Sequence, residues 1–383
     1  MIHDQNFSLE DAGIIEAEDS SCSVTITQPF SPNDIRLSTP PMNMGDIIDM
    51  IQYRYIHFDA DYQREQNLWS DVQQSRLIES VLLGLRLPAF YFEEVSKKNW
   101  QIIDGLQRCC SIRNFCVDGT LVLTGLEFLT EFNGKKYEDF PFDVKRDIRM
   151  LPVTINVLEK GVPDKVKYIL FKRLNTGGIN LSPQEIRNAV FSGKAIDLVK
   201  EMASNTAFLR ATQGKIASTR KQDQDFISRF IAFYLVDYKD YEPDLDNFIN
   251  GVMHNINEGI YDKCLPKMKS DFTMAMNLAF ELFEEDAFRR REYLNSKRSP
   301  INKAYFEVIS VCLSHLSFNM IKKLKNHKEY LIRNAIEAMH LDKSYNNSFS
   351  RGTANKEAVY KRFNTFETIL NFSLQGKLLS TNI

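Results

Sequence analysis

The chain reads as an α/β domain followed, after about residue 195, by a mostly α-helical one. Three observations predict this. Two short runs, AFYFEEV (89–95) and WQIID (100–104), are rich in residues that suit strands and are joined by the polar turn SKKN. Helical stripes flank them on both sides, as in an α/β arrangement. Beyond residue 195 strand-like runs almost vanish, and DFISRFIAFYLVDY, TMAMNLAFELFEEDAFRRR and KAYFEVISVCLSHLSFNMIKKL read as amphipathic or buried helices. At 383 residues the chain is long enough for two domains.

Taken in order, residues 1–40 are polar and acidic and are punctuated by Pro29, Pro32, Pro40 and Pro41, which predicts a flexible arm. MGDIIDMIQ, from Met44, spaces its apolar residues as a helix does. YIHFDADYQREQNLW then runs extended to Ser70, which forms a capping box with Gln73. The helix it opens aligns Val72, Leu77, Ile78, Val81 and Leu82 and stops at Gly84, with Pro88 beyond. After the two strands, Gly105 opens a second helix that ends near VDGT. LPVTINVLE is a further strand, and the helix after it ends at Asn175-Thr176-Gly177-Gly178. Ser182-Pro183-Gln184-Glu185 starts another helix with a capping box and Pro in the first turn, which accounts for Glu185 without a ligand. The predicted domains are 41–195 and 196–383.

Composition narrows the function. A net charge of −2 excludes a globally basic nucleic-acid coat, so any DNA contact must be local. The clusters RRREY (289–293), NSKRSP (295–300) and KKLKNHK (322–328) are either such a groove or solvated helix faces. The six cysteines lack paired C-x-x-C spacing and read as reduced thiols. No histidines pair at i, i+4, so no metal site of protein ligands is predicted. The acidic start lacks the flank and apolar run of a signal peptide, and no stretch reaches 18 apolar residues, so a cytoplasmic protein without membrane contact is expected.

The densest chemistry is WQIIDGLQRCC (100–110), a strand feeding a glycine and then a helix. Such a corner turns unpaired backbone N–H groups and the helix dipole towards an anion, and phosphate fits. Gly105 allows close backbone approach, Arg108 can fork two donors onto phosphate oxygens, Gln107 can hydrogen-bond a ligand, and Asp104 can hold a metal ion or orient a water. The plainer alternative has Asp104 capping the helix and pairing with Arg108. Cys109, Ile112 and Cys116 share one helical face, which makes the thiols small buried hydrophobes.

Four strings in order, DYQREQNLW, RLIESVLLGLRLPAF, IIDGLQR and FKRLNTGGINLSPQEIRNAV, resemble the N-terminal module of the GmrSD-type restriction family. That module carries a D-G-Q-Q-R motif and is related in fold to ParB and sulfiredoxin. The resemblance spans roughly residues 44–195 and continues more weakly through PINKAYFEVI and GTANKEAVYKRF. It implies a ParB/sulfiredoxin-like fold that binds and hydrolyses a nucleoside triphosphate with Mg2+ to regulate cleavage of foreign or modified DNA. By motif match, Gln63, Arg64, Gly105, Arg108, Asn175, Thr176, Gly177 and Gly178 would bind nucleotide, and Asp104, Gln107 and Arg108 would carry the chemistry. Leu106 replaces the first glutamine of the motif, which implies slow turnover.

Many relatives append an H-N-H nuclease domain, but the helical half shows no paired His/Asn array, so cleavage falls to a separate nuclease subunit. A competing class is a nuclease acting through the ParB-like domain, which needs carboxylates such as Asp61 and Glu65 beside Asp104. A third is a binding-only adaptor for nucleotide or DNA. Homo-oligomerisation is open.

Overall fold

Residues 15–16, 18–19, 36–58, 69–96, 99–174, 181–293 and 299–379 are described by a computed structural model. The chain divides into one unit of residues 29–180 and a second that joins residues 1–28 to 181–383. The boundary expected near 195 falls inside the second unit.

The first unit runs β1 (Leu37–Ser38), β2 (Met42–Asn43), α1 (Met44–Gln52), β3 (Ile56–His57), α2 (Asp71–Leu82), β4 (Phe90–Ser96), β5 (Asn99–Asp104), α3 (Leu106–Ile112), α4 (Phe142–Met150), β6 (Pro152–Val153), β7 (Ile155–Leu158) and α5 (Asp164–Leu174). A mixed sheet orders its strands β1-β7-β4-β5-β3, and β2 pairs separately with β6. Leu37 and Ser38, expected in the arm, form the sheet's edge opposite Leu158 and Val157. The β4–β5 hairpin sets Phe92 against Ile102 and Glu94 against Trp100, while β7 runs parallel to β4 with Ile155 beside Phe90.

Alternation in β4 explains the layers. Phe90 and Phe92 are fully buried on one face, with Met44, Ile47, Ile48 and Ile51 of α1 and Cys109 and Ile112 of α3 in the same core. Glu93 points the other way and meets Lys167 of α5 at 2.6 Å. Two capping boxes start the helices cleanly: Asn43 with Asp46 for α1, and Ser70 with Gln73 for α2. Buried Glu79 of α2 accepts the amides of Glu127 (3.1 Å), Phe128 (2.7 Å) and Leu129 (2.8 Å), which orders the long connection to α4. Burial opposes its charge, but those amides outweigh burial and hold its carboxyl below the ordinary range.

The second unit is helical: α6 (Pro183–Val190), α7 (Lys194–Ala203), α8 (Thr206–Ala211), α9 (Gln222–Leu235), α10 (Leu245–Asn257), α11 (Leu265–Phe283), α12 (Lys303–Ser314), α13 (Phe318–Asn326), α14 (Lys328–Leu341), α15 (Lys343–Asn347) and α16 (Lys356–Leu374). Every residue of α12 from Ala304 to Ser314 is buried, so it is the central helix. Phe306 on α12 packs edge-on against Phe208, Phe226 and Phe288. Among the described residues no single helix is long and apolar enough to cross a membrane.

Candidate functional site

Strand β5 ends at Asp104, opposite Tyr91, and the chain turns at Gly105 with φ +102°. A side chain there would be strained: a Cβ would lie 2.8 Å from Phe90 Cδ1 and 3.3 Å from Arg108 Nη2. Helix α3 then starts with no side-chain cap, so Asp104 does not cap it. At seven residues it is short, before the chain widens into a π-helical turn (Arg113–Val117), so the corner's electrostatics rest on side chains more than on a helix dipole.

Arg108 forms a clasp. Its Nη2 donates to Asp104 Oδ2 at 2.8 Å, and its Nη1 donates to the carbonyls of Ala89 (3.3 Å) and Pro88. The guanidinium lies 4.6 Å over the Phe90 ring. Its side chain is only 11% exposed, against 33% for Asp104. The fork expected to face phosphate is thus directed at the entry to β4 and the end of β5, and Asp104 is the more open partner. Leu106, which stands where the motif has its first glutamine, packs against the apolar core.

Other groups fasten the chain onto the same helix. Gln107 Oε1 accepts the Trp69 amide at 3.4 Å, and Gln74 Nε2 donates to the Trp69 carbonyl at 3.0 Å. Gln74 in turn accepts from Asn114 Nδ2 at 2.9 Å, and the Arg113 guanidinium lies 4.7 Å over the Phe58 ring. Phe58 and Trp69 are the flanks of the stretch that holds Gln63 and Arg64. Sequence reasoning missed Gln74, Arg113 and Asn114 because long-range side-chain pairing has no period to read. Cys109 and Cys110 are buried, and burial pushes all three thiols of this helix up, Cys110 to about 11 and Cys116 to about 12.

Gln63 and Arg64, Asn175 to Gly178, and Asp61 and Glu65 lie outside the described residues. Among the described residues no group of three His, Cys, Asp or Glu side chains is placed to hold a metal ion. Of the basic clusters, Arg289 donates to the carbonyls of Glu285 and Ser299, Arg290 pairs with Glu16, and Arg291 pairs with Asp286 at 2.6 Å. Lys325 and Lys328 meet Glu281 and Glu284.

The motifs beyond the corner have a structural role. Arg187, 1% exposed, donates to Asn250 at 3.0 Å and pairs with Asp225 and Asp246. Glu307, from PINKAYFEVI, meets Arg362, from GTANKEAVYKRF, with both side chains fully buried. Arg229 approaches Glu307 at 3.5 Å, and Lys303 approaches Asp225 at 2.7 Å. Glu185 caps α6, as its spacing predicts.

Residues 44–192 match the family model of the GmrSD restriction endonuclease N-terminal domain, so this stretch carries that domain, which runs past Asn180 into α6. A domain of this kind belongs to a restriction or defence-system component. No curated protein and no solved structure matches the chain.

Proposed function

We propose that the chain is a nucleotide-binding regulatory component of a restriction or anti-phage system. Its 29–180 unit would be a ParB/sulfiredoxin-like module that hydrolyses a nucleoside triphosphate slowly, with DNA cleavage left to a separate nuclease subunit. The observation that carries this reading is the convergence on α3. Asp104 and Arg108 at its start, and the flanks Phe58 and Trp69 of the Gln63-Arg64 stretch, are all fastened to that helix and its π-helical turn.

Asp104 stands at the carboxyl end of β5, where α/β sheets place their ligands. Its carboxylate is the group to orient an attacking water or to meet the Mg2+ that accompanies a triphosphate. Arg108 is a positioning residue: it fixes the Asp104 rotamer and helps tie the corner together. Gln107 shares its turn of helix with that pair, and the resemblance assigns Gln63, Arg64 and Asn175 to Gly178 to the phosphates. Leu106, turned to the core, contributes no hydrogen bond from its side chain to chemistry, which fits slow turnover.

Thermal shift against the common nucleoside triphosphates with magnesium tests the reading. A triphosphate at 100 times its Kd stabilises by about 2.7 kcal/mol, which for a domain of this size raises Tm by roughly 5–10 °C. Asp104→Asn should leave the unliganded Tm within about 2 °C while abolishing phosphate release. No stabilisation by any triphosphate would sink the reading.

A further inference from the structure

Residues 15–16 and 18–19 are seated in the helical unit by backbone pairing. Ile15 pairs in parallel with Ile301 and Asp19 with Arg351. Backbone hydrogen bonds run from Glu16 N to Ile301 O (2.8 Å), Asp19 N to Ser350 O (3.2 Å) and Thr353 N to Asp19 O (3.1 Å). Glu16 and Glu18, two positions apart, both turn their carboxylates into the helical unit.

Each carboxylate meets a built receptor. Glu18 accepts from both terminal nitrogens of Arg229, at 2.9 and 2.7 Å, and from the Thr353 hydroxyl at 2.6 Å. Glu16 accepts from Arg290 Nε at 3.0 Å, from Arg290 Nη2, and from Asn302 Nδ2 at 3.1 Å. The receiving side chains are deep: Arg229 is 5% exposed, Asn302 1% and Thr353 0%.

Charge explains why an acidic segment belongs there. Without it, Arg187, Arg229, Lys303 and Arg362 face Asp225, Asp246 and Glu307, and Arg290 keeps the carbonyl and side chain of Asn346. Among the described residues the cations of this group then outnumber its carboxylates, and unmatched buried charge is costly. The two glutamates restore the balance, through charge-assisted hydrogen bonds rather than through packing of a large apolar surface.

We propose that the segment around Glu16 and Glu18 is an intramolecular ligand, an extended Glu-x-Glu peptide held in a cationic socket of the helical unit, and that the socket binds the same sequence supplied as a separate peptide. The socket is therefore a recognition site for acidic extended peptide, occupied in cis by the chain's own residues.

The test uses the full chain with a protease recognition sequence inserted after Gln28, cut after folding. The released fragment should co-elute with the rest of the chain and exchange with excess labelled peptide of residues 10–24. A peptide carrying Glu16→Gln and Glu18→Gln should compete at least about tenfold less well, since charge-assisted hydrogen bonds are lost at both positions. Exchange that ignores the two substitutions overturns the proposal. So does a fragment that never exchanges, or one whose cutting unfolds the helical unit by circular dichroism, because the segment is then an ordinary core element. A fragment that leaves on cutting without uptake of peptide also overturns it. A dimeric uncut protein that becomes monomeric on cutting would place the segment in a second copy and overturn the intramolecular assignment.

Discussion

The Asp104–Arg108 pair of the first unit and the Glu307–Arg362 pair of the second use the same chemistry in opposite surroundings. The first leaves its carboxylate 33% exposed, whereas the second is sealed on both sides. Solvent can replace part of what Asp104 would lose, so that carboxylate is free to serve a ligand. Glu307 has no such recourse. Its position in the middle of the buried helix α12 commits it to Arg362 and Arg229, and Arg362 also donates to the Thr353 carbonyl at 2.6 Å. Of two arginine–carboxylate pairs in sequence motifs, the exposed one is the functional candidate and the buried one holds the fold.

That contrast can be broken most strongly at Arg362. Arg362→Ala strands Glu307 in the core and should cost about 3–5 kcal/mol in urea unfolding. Glu307→Gln with Arg362→Met should recover much of the loss, because no buried charge is then left alone. A single-variant cost below about 1 kcal/mol would remove the distinction drawn between the two pairs.

Gly105→Ala comes next, and it probes the corner's backbone rather than its charge. The positive φ and the Cβ contact with Phe90 should together cost roughly 2–4 kcal/mol. A variant as stable as wild type would mean that the corner relaxes freely and that the Phe90–Arg108 stack does not hold it.

The smallest effect concerns Glu18. Burial opposes its ionisation, but Arg229, then Thr353 and Lys303, hold its carboxyl below the ordinary value. A depressed carboxyl contributes stability above its unfolded pKa and loses it as pH falls through the folded one. The stability gap between wild type and Glu18→Gln should therefore be full at neutral pH, at about 1–3 kcal/mol, and should shrink as pH drops below the usual glutamate range. A gap that stays constant down to strong acid would show that Glu18 is not held as the charged partner of Arg229.

Much of the local architecture was legible beforehand because it rests on neighbours in the chain. The capping boxes at Ser70 and Ser182 form within one turn, and the alternation of Phe90 and Phe92 is a property of strand geometry. The corner itself was legible as a strand, a glycine and a helix. The aim of Arg108 was not, because its carbonyl partners Pro88 and Ala89 precede it by 20 and 19 residues and come within reach only once β4 and β5 pair. Gln74 with Asn114 escaped for the same reason, their separation being 40 residues.

The beginning of the chain marks the limit most clearly. Its acidity and prolines predicted an arm, and composition alone carries no trace of a socket. Glu18 meets Arg229 across 211 residues, and Thr353 across 335. By itself the sequence determined the capped helices, the β4–β5 hairpin and the glycine that turns the corner, since those follow from backbone sterics and short-range hydrogen bonds. Only the tertiary structure decided which carboxylates are sealed and which stay open, because the cost of a charge depends on the solvent and partners that distant segments leave around it.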